Sequence, residues 1–103
     1  MKDRIVARYR ALRRAAEAQG KLLFMGYSDS DKWLECHFRV NENDLETPRV
    51  CFWLGAHTDF KDCFVSLVWP DGRTVYLKDK LKRASGVQII AAGLELAAKH
   101  YGQ

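Results

Sequence analysis

No stretch of this chain approaches the roughly 20 consecutive apolar residues that a membrane span requires. Arg4, Arg8, Arg10, Arg13 and Arg14 break up the region where a secretory leader would carry its apolar core. A cytoplasmic location and no membrane partner are therefore expected. Cysteine is sparse and odd in number: Cys36, Cys51 and Cys63 form no close pairs and make a poor disulfide framework. Each lies in an apolar, strand-like run, which reads as a small buried hydrophobe rather than as thiol chemistry. There is no Cys-x-x-Cys or His-Glu-x-x-His spacing for zinc, no Gly-x-Gly or Gly-Lys-Ser loop to cradle phosphate, and no recognisable serine or cysteine nucleophile motif. No cofactor and no metal are expected. Internal repeats, low-complexity tracts and interdomain linkers are missing too. The 103 residues thus read as one domain, able to withdraw roughly 65% of its unfolded surface from water without staples.

What the chain does have is charge sorted along its length. Residues 1–21 carry seven basic and two acidic side chains, residues 22–62 four basic and eight acidic, and residues 63–103 six basic and three acidic. A net charge of +4 therefore hides two basic blocks around an acidic middle. Such asymmetry bears on partners rather than on fold.

Five alanines and five arginines make residues 3–19 strongly helix-prone, with Gly20 as the left-handed stop. Ile5, Tyr9, Leu12 and Ala16 share one stripe, which is the expected buried face, and Arg10, Arg13 and Arg14 project from the opposite side. The period then changes to two. Residues 22–27 form a short apolar run, and Ser28, Asp29, Ser30 and Asp31 form a polar turn. After it Leu34, Cys36, Phe38 and Val40 alternate with Trp33, Glu35, His37 and Arg39, so one strand face is core and the other amphipathic. An acidic loop over 41–48 precedes a third strand at 50–54 and a fourth at 63–69. Pro70-Asp71-Gly72 then presets a tight turn into a fifth strand at 73–78. The last helix begins near Ser85, whose spacing to Gln88 matches a capping box, and ends at Gly102; Asp79 offers an alternative start. Val87, Ile90, Ala91, Leu94, Ala98 and Tyr101 make one stripe on it, but Ile89, Gly93, Leu96 and Ala97 extend the apolar surface well beyond. Such a helix should lie on the sheet and also touch either the first helix or a second subunit. The expected class is α+β: an N-terminal helix, a five-stranded antiparallel meander, and a C-terminal helix packed on the sheet. Small single-strand nucleic-acid binders also combine meandering strands with a closing helix, an analogy of fold alone.

Four places can carry chemistry. The basic blocks can form one anion-facing surface from Arg4, Arg8, Arg10, Arg13, Arg14, Lys80, Lys82 and Arg83, provided that the first helix packs beside the start of the last. Trp33 is the candidate for base stacking, with His37 and Arg39 on the same strand face, unless the first helix covers that face. Trp53 and Trp69 lie in apolar strands and read as core. His57, Asp59, Asp62 and Cys63 are the one enzyme candidate, a histidine among carboxylates in a loop, and an ordinary polar connection explains them as well. His100 reads as a favourable charge at a helix C-terminus.

The composition therefore points to a non-enzymatic binding module for an acidic partner, with nucleic acid ahead of an acidic protein surface. The alternative is a protein-interaction, inhibitor or adaptor module, such as a mobile element encodes, acting as a homodimer through the C-terminal helix.

Overall fold

The computed structural model describes residues 2–26, 33–55 and 62–101, the side chains of residues 2–6, 26, 33, 55 and 62 excepted. The alanine- and arginine-rich N-terminus forms α1 (Lys2–Ala18). Gly20 ends it at φ +73°, which lets the Lys21 N–H turn back to the Ala16 carbonyl at 2.9 Å. Leu12, Ala15 and Ala16 are buried and Tyr9 half-buried, whereas Arg10, Arg13 and Arg14 are exposed, as the stripe requires.

The strands are β1 (Phe24–Gly26), β2 (Trp33–Arg39), β3 (Arg49–Gly55), β4 (Asp62–Val68), β5 (Thr74–Tyr76) and β6 (Leu81–Lys82). They pair antiparallel in the order β1-β2-β3-β4-β5, with β6 also on β4. The expected meander is present, with one correction. The fifth strand is split, because Leu77 N–H still reaches the Val65 carbonyl at 2.9 Å, residues 78–80 leave the ladder, and pairing resumes at Leu81 opposite Cys63. The Pro70-Asp71-Gly72 turn closes as its residue types demand. Gly72 sits at φ +94°, its N–H meets the Trp69 carbonyl at 2.9 Å, and Asp71 Oδ1 accepts from Arg73 N–H at 2.9 Å.

The last helix is α2 (Gly86–His100), capped by Ser85. The Ser85 hydroxyl accepts from Gln88 N–H at 3.2 Å and the Gln88 side chain accepts from Ser85 N–H at 2.8 Å, so the capping box excludes a start at Asp79. The face it buries differs from the expected stripe. Gly86, Ile89, Ile90, Gly93, Leu96 and Ala97 are buried, while Val87 and Tyr101 are exposed. The cause is closeness of approach. A Cβ on Gly93 would stand 2.7 Å from both Phe52 Cζ and Val50 Cγ1, and one on Gly86 would stand 3.0 Å from the Ala11 carbonyl oxygen. The smallest residues therefore select the contact face, and dense packing against Phe52, Val50 and α1 outweighs burying the larger Val87.

The core gathers Phe38, Phe52, Leu54, Val50, Val65 and Leu67 from the sheet under Leu12, Ile89 and Ile90 from the helices. Both helices lie on this one face. No described helix is long and apolar enough to cross a membrane.

Gly93→Ala sets two magnitudes against each other. Alanine improves helix propensity by about 1 kcal/mol, whereas overpacking a filled core costs about 1–3 kcal/mol. With two fully buried side chains 2.7 Å away, overpacking wins. A net loss of about 1–2 kcal/mol is expected, read as a lowered thermal midpoint by circular dichroism; an unchanged or raised midpoint would contradict this seating of α2.

Candidate functional site: the open face of the sheet

Because side chains alternate along a strand, the residues that point away from the core are fixed by the register. One straight row across the sheet runs Phe24, His37, Cys51, Ser66, Tyr76. The next contains Glu35, Trp53 and Phe64, and the row on the other side contains Arg39, Arg49, Val68 and Thr74. Neither helix covers these rows. Phe24 is 47% exposed, Trp53 40%, Phe64 43% and Tyr76 70%, so four aromatic rings face solvent on one surface. Trp53, expected in the core, is corrected to this face. Its strand reads as continuously apolar, and such a run does not reveal which side is covered. Trp69 does pack partly buried against the core, with the Arg73 guanidinium 4.0 Å from its ring centroid.

Polar groups are set among the rings. His37 stacks on Phe24 with centroids 5.9 Å apart, and its Nδ1 lies 3.1 Å from Glu35 Oε1. Cys51 lies close enough for the Glu35 charge to act on its thiol. At one margin Arg39 stands directly opposite Arg49, a like-charge pair that costs stability unless something relieves it. Arg39 is drawn aside, donating to the Leu45 and Thr47 carbonyls at 3.1 and 3.0 Å, and Arg49 is exposed. The loop carrying those carbonyls also exposes Glu42, Asp44 and Glu46, which temper this margin. At the other margin Lys80 lies 6.0 Å from the Phe64 ring centroid, and Lys82 stands in register opposite position 62, two residues before Phe64 along β4. Cations thus flank the aromatic band on both sides.

The arginines of α1 belong to the opposite layer. Arg10 and Arg14 are exposed, and Arg13 is paired with Glu17 at 2.8 Å. Arg8 is turned inward: its guanidinium donates to the Ala84 carbonyl, and its buried Nε has no partner. That contact brings α1 beside the start of α2, with Arg8 committed to the junction, while Lys80 and Lys82 stand at the margin of the open face. Arg83 next to it is exposed and holds φ 54°. Among the sequence candidates, the side chains of Arg4 and Trp33 lie outside the described residues, as do His57 and Asp59. Cys63, the end of that loop segment, is fully buried on the core side. Among the described residues no three His, Cys, Asp or Glu side chains gather to hold a metal.

Glu35, His37 and Arg39 lie on the amphipathic face that their alternation marks, whereas Phe24, Arg49, Cys51, Trp53, Phe64 and Tyr76 are residues of this face that sequence reasoning did not assign to it. The period-two alternation of Val50, Phe52 and Leu54 carries the signal, once one member is known to be buried. A separate apolar groove of about 330 Å³ lies between the helices, lined by Ala15, Ala18, Val87, Ile90, Ala91 and Leu94. Comparison with family models, curated proteins and solved structures gives no match.

The three thiols are held protonated. Burial pushes Cys36 and Cys63 up to about 12, and burial together with the charge of Glu35 pushes Cys51 up to about 11, each from 9.0. Thiolate, not thiol, is the nucleophile, so none is primed for attack at neutral pH. The native state keeps these protons when the unfolded chain has lost them. Their contribution is therefore complete below the unfolded value and fades as pH rises through the native values. Urea unfolding should show stability falling between about pH 8 and about pH 11, less steeply in Cys51→Ala; an identical slope in the variant would contradict the assignment.

Proposed function

We propose that this chain is a small non-enzymatic binding module that takes single-stranded nucleic acid on the open face of its sheet. The observation that carries the reading is the set of four exposed rings, Phe24, Trp53, Phe64 and Tyr76, on one face that no helix covers. Exposed apolar patches of this kind mark interaction surfaces. Bases stack on such rings whatever their sequence, while lysine and arginine track the phosphates. Arg49 and Trp53 are four residues apart on one strand, roughly 13 Å, so a strand lying across the sheet has its bases over the rings and cations at either side. A five-stranded face is roughly 19 Å wide, too broad for the ~12 Å major groove, which favours unpaired bases over duplex. The exposed arginines of α1 and the net charge of +4 act at longer range, drawing a polyanion toward the domain.

A second reading has its own observation. The groove beside the exposed Val87 favours self-association through α2, and light scattering that stays at the monomer mass across micromolar concentrations would remove it.

The stacking reading is tested by fluorescence anisotropy with labelled single-stranded oligonucleotides. Affinity should fall with salt, the log–log slope being about −0.7 per phosphate contacted. Trp53→Ala and Phe64→Ala should each weaken binding by about 1–3 kcal/mol, whereas replacing Arg10, Arg13 and Arg14 together should cost less than either. Absence of binding at low salt to any DNA or RNA strand would sink the reading.

A further inference from the structure

Glu35 is the one carboxylate among the described strand side chains of the open face, and it stands near the centre rather than at the rim. Its neighbours fix it there. Trp53 is directly opposite on β3, and His37 Nδ1 lies 3.1 Å from Oε1 and 3.4 Å from Oε2. Its side chain is 13% exposed, so the carboxylate is held in place and retains a little access to solvent. An ionised carboxylate has about four acceptor sites and no donor. The imidazole leaves part of that capacity unused.

On a surface that receives a polyanion, a central negative charge has a definite consequence. Phosphates are repelled from the middle and kept to the Arg49 and Lys82 margins, and what comes to the middle must present hydrogen-bond donors. We infer that Glu35 reads the base stacked on Trp53 and selects one whose Watson–Crick edge carries donors, guanine above all. This rests on the stacking reading above and adds to it a base preference.

The chemistry of the four edges sets the order. Guanine places N1–H and N2–H side by side, two donors that match the two oxygens of one carboxylate. Cytosine and adenine each offer an amino group beside a ring nitrogen that is itself an acceptor, so a single bond forms. Uracil and thymine offer one N–H between two carbonyl oxygens, which a carboxylate repels. Because Glu35 is already held by His37, a matching base orders only itself, and the preference is not spent on freezing a free side chain.

The test uses the full chain and labelled uridine hexanucleotides carrying G, A, C or U at one central position. The G-containing strand should bind roughly 5- to 150-fold more tightly than the all-U strand, with A and C between. Inosine, which lacks the N2 amino group, should fall between G and U. In Glu35→Gln the preference should collapse while the all-U affinity stays equal or rises, because the repelling charge is gone; a thermal midpoint shared with the wild type shows that the variant is folded. Equal affinity of the wild type for all four strands would overturn the inference without touching the stacking reading, as would a G preference that survives in Glu35→Gln. Binding of none of the strands would instead remove the stacking reading, and this inference with it.

Discussion

The seating of two helices on a single face of the sheet, made possible by glycine, governs the rest of this structure. Gly93 lets α2 settle onto Phe52 and Val50, and Gly86 lets it cross the backbone of α1 at Ala11. At both places a methyl group would already be too close. With interiors packed as densely as molecular crystals, such contacts fix the helices to within fractions of an ångström. Arg8 adds a polar tie to the Ala84 carbonyl. That tie sits next to Arg83, whose positive φ turns the chain from β6 toward α2 and is uncommon for a residue with a side chain. Once both helices share one side, neither of the described helices covers the opposite face of the sheet.

A bare sheet face usually carries polar side chains, because burying one side suffices for stability and the other side meets water. Here the uncovered rows hold Phe24, Trp53, Phe64 and Tyr76, all substantially exposed. Retaining them forgoes roughly 25 cal/mol for each Å² of apolar area left in water. The arginine pair across β2 and β3 is a second local cost, only partly relieved when Arg39 turns to the Leu45 and Thr47 carbonyls. Both costs have one remedy. A ligand with flat apolar faces and negative charge covers the rings and neutralises the cations together, and single-stranded nucleic acid has that combination.

Local signals made much of the fold legible in the sequence. Gly20, the Pro70-Asp71-Gly72 turn and the Ser85–Gln88 box each act within four residues, and each is found where its chemistry places it. Burial direction is not local, and there the sequence was silent. In β3 the run Val50, Cys51, Phe52, Trp53, Leu54 is apolar at every position, so nothing in it tells that Phe52 faces the helices and Trp53 faces solvent. Likewise α2 is apolar around most of its circumference. The side chosen is the one whose small residues, Gly86 and Gly93, permit contact with the surface it meets. The alternation of Glu35, His37 and Arg39 did mark an amphipathic face, and both helices lie on the other side of the sheet. Why those three residues matter only emerges when Trp53 and Phe64 join them across the ladder.

The acidic middle of the chain then acquires a structural meaning. Glu42, Asp44 and Glu46 are exposed on the connection between β2 and β3, the same connection whose carbonyls hold Arg39. They place negative charge on the loop that holds Arg39, at the margin where Arg39 and Arg49 stand. The margin of Lys80 and Lys82 adjoins a described segment in which Asp79 is set against Lys78, Lys80, Lys82 and Arg83. The two sides of the aromatic band are therefore unequal: one is a cationic pair screened by its own loop, the other a cluster with cations in excess. On the proposed reading, a polyanion lying between them would be pulled harder toward the lysines, while Glu35 would keep its phosphates off the centre. Charge that in the sequence was merely sorted into blocks becomes, across the folded sheet, a gradient that can fix which way a bound strand lies.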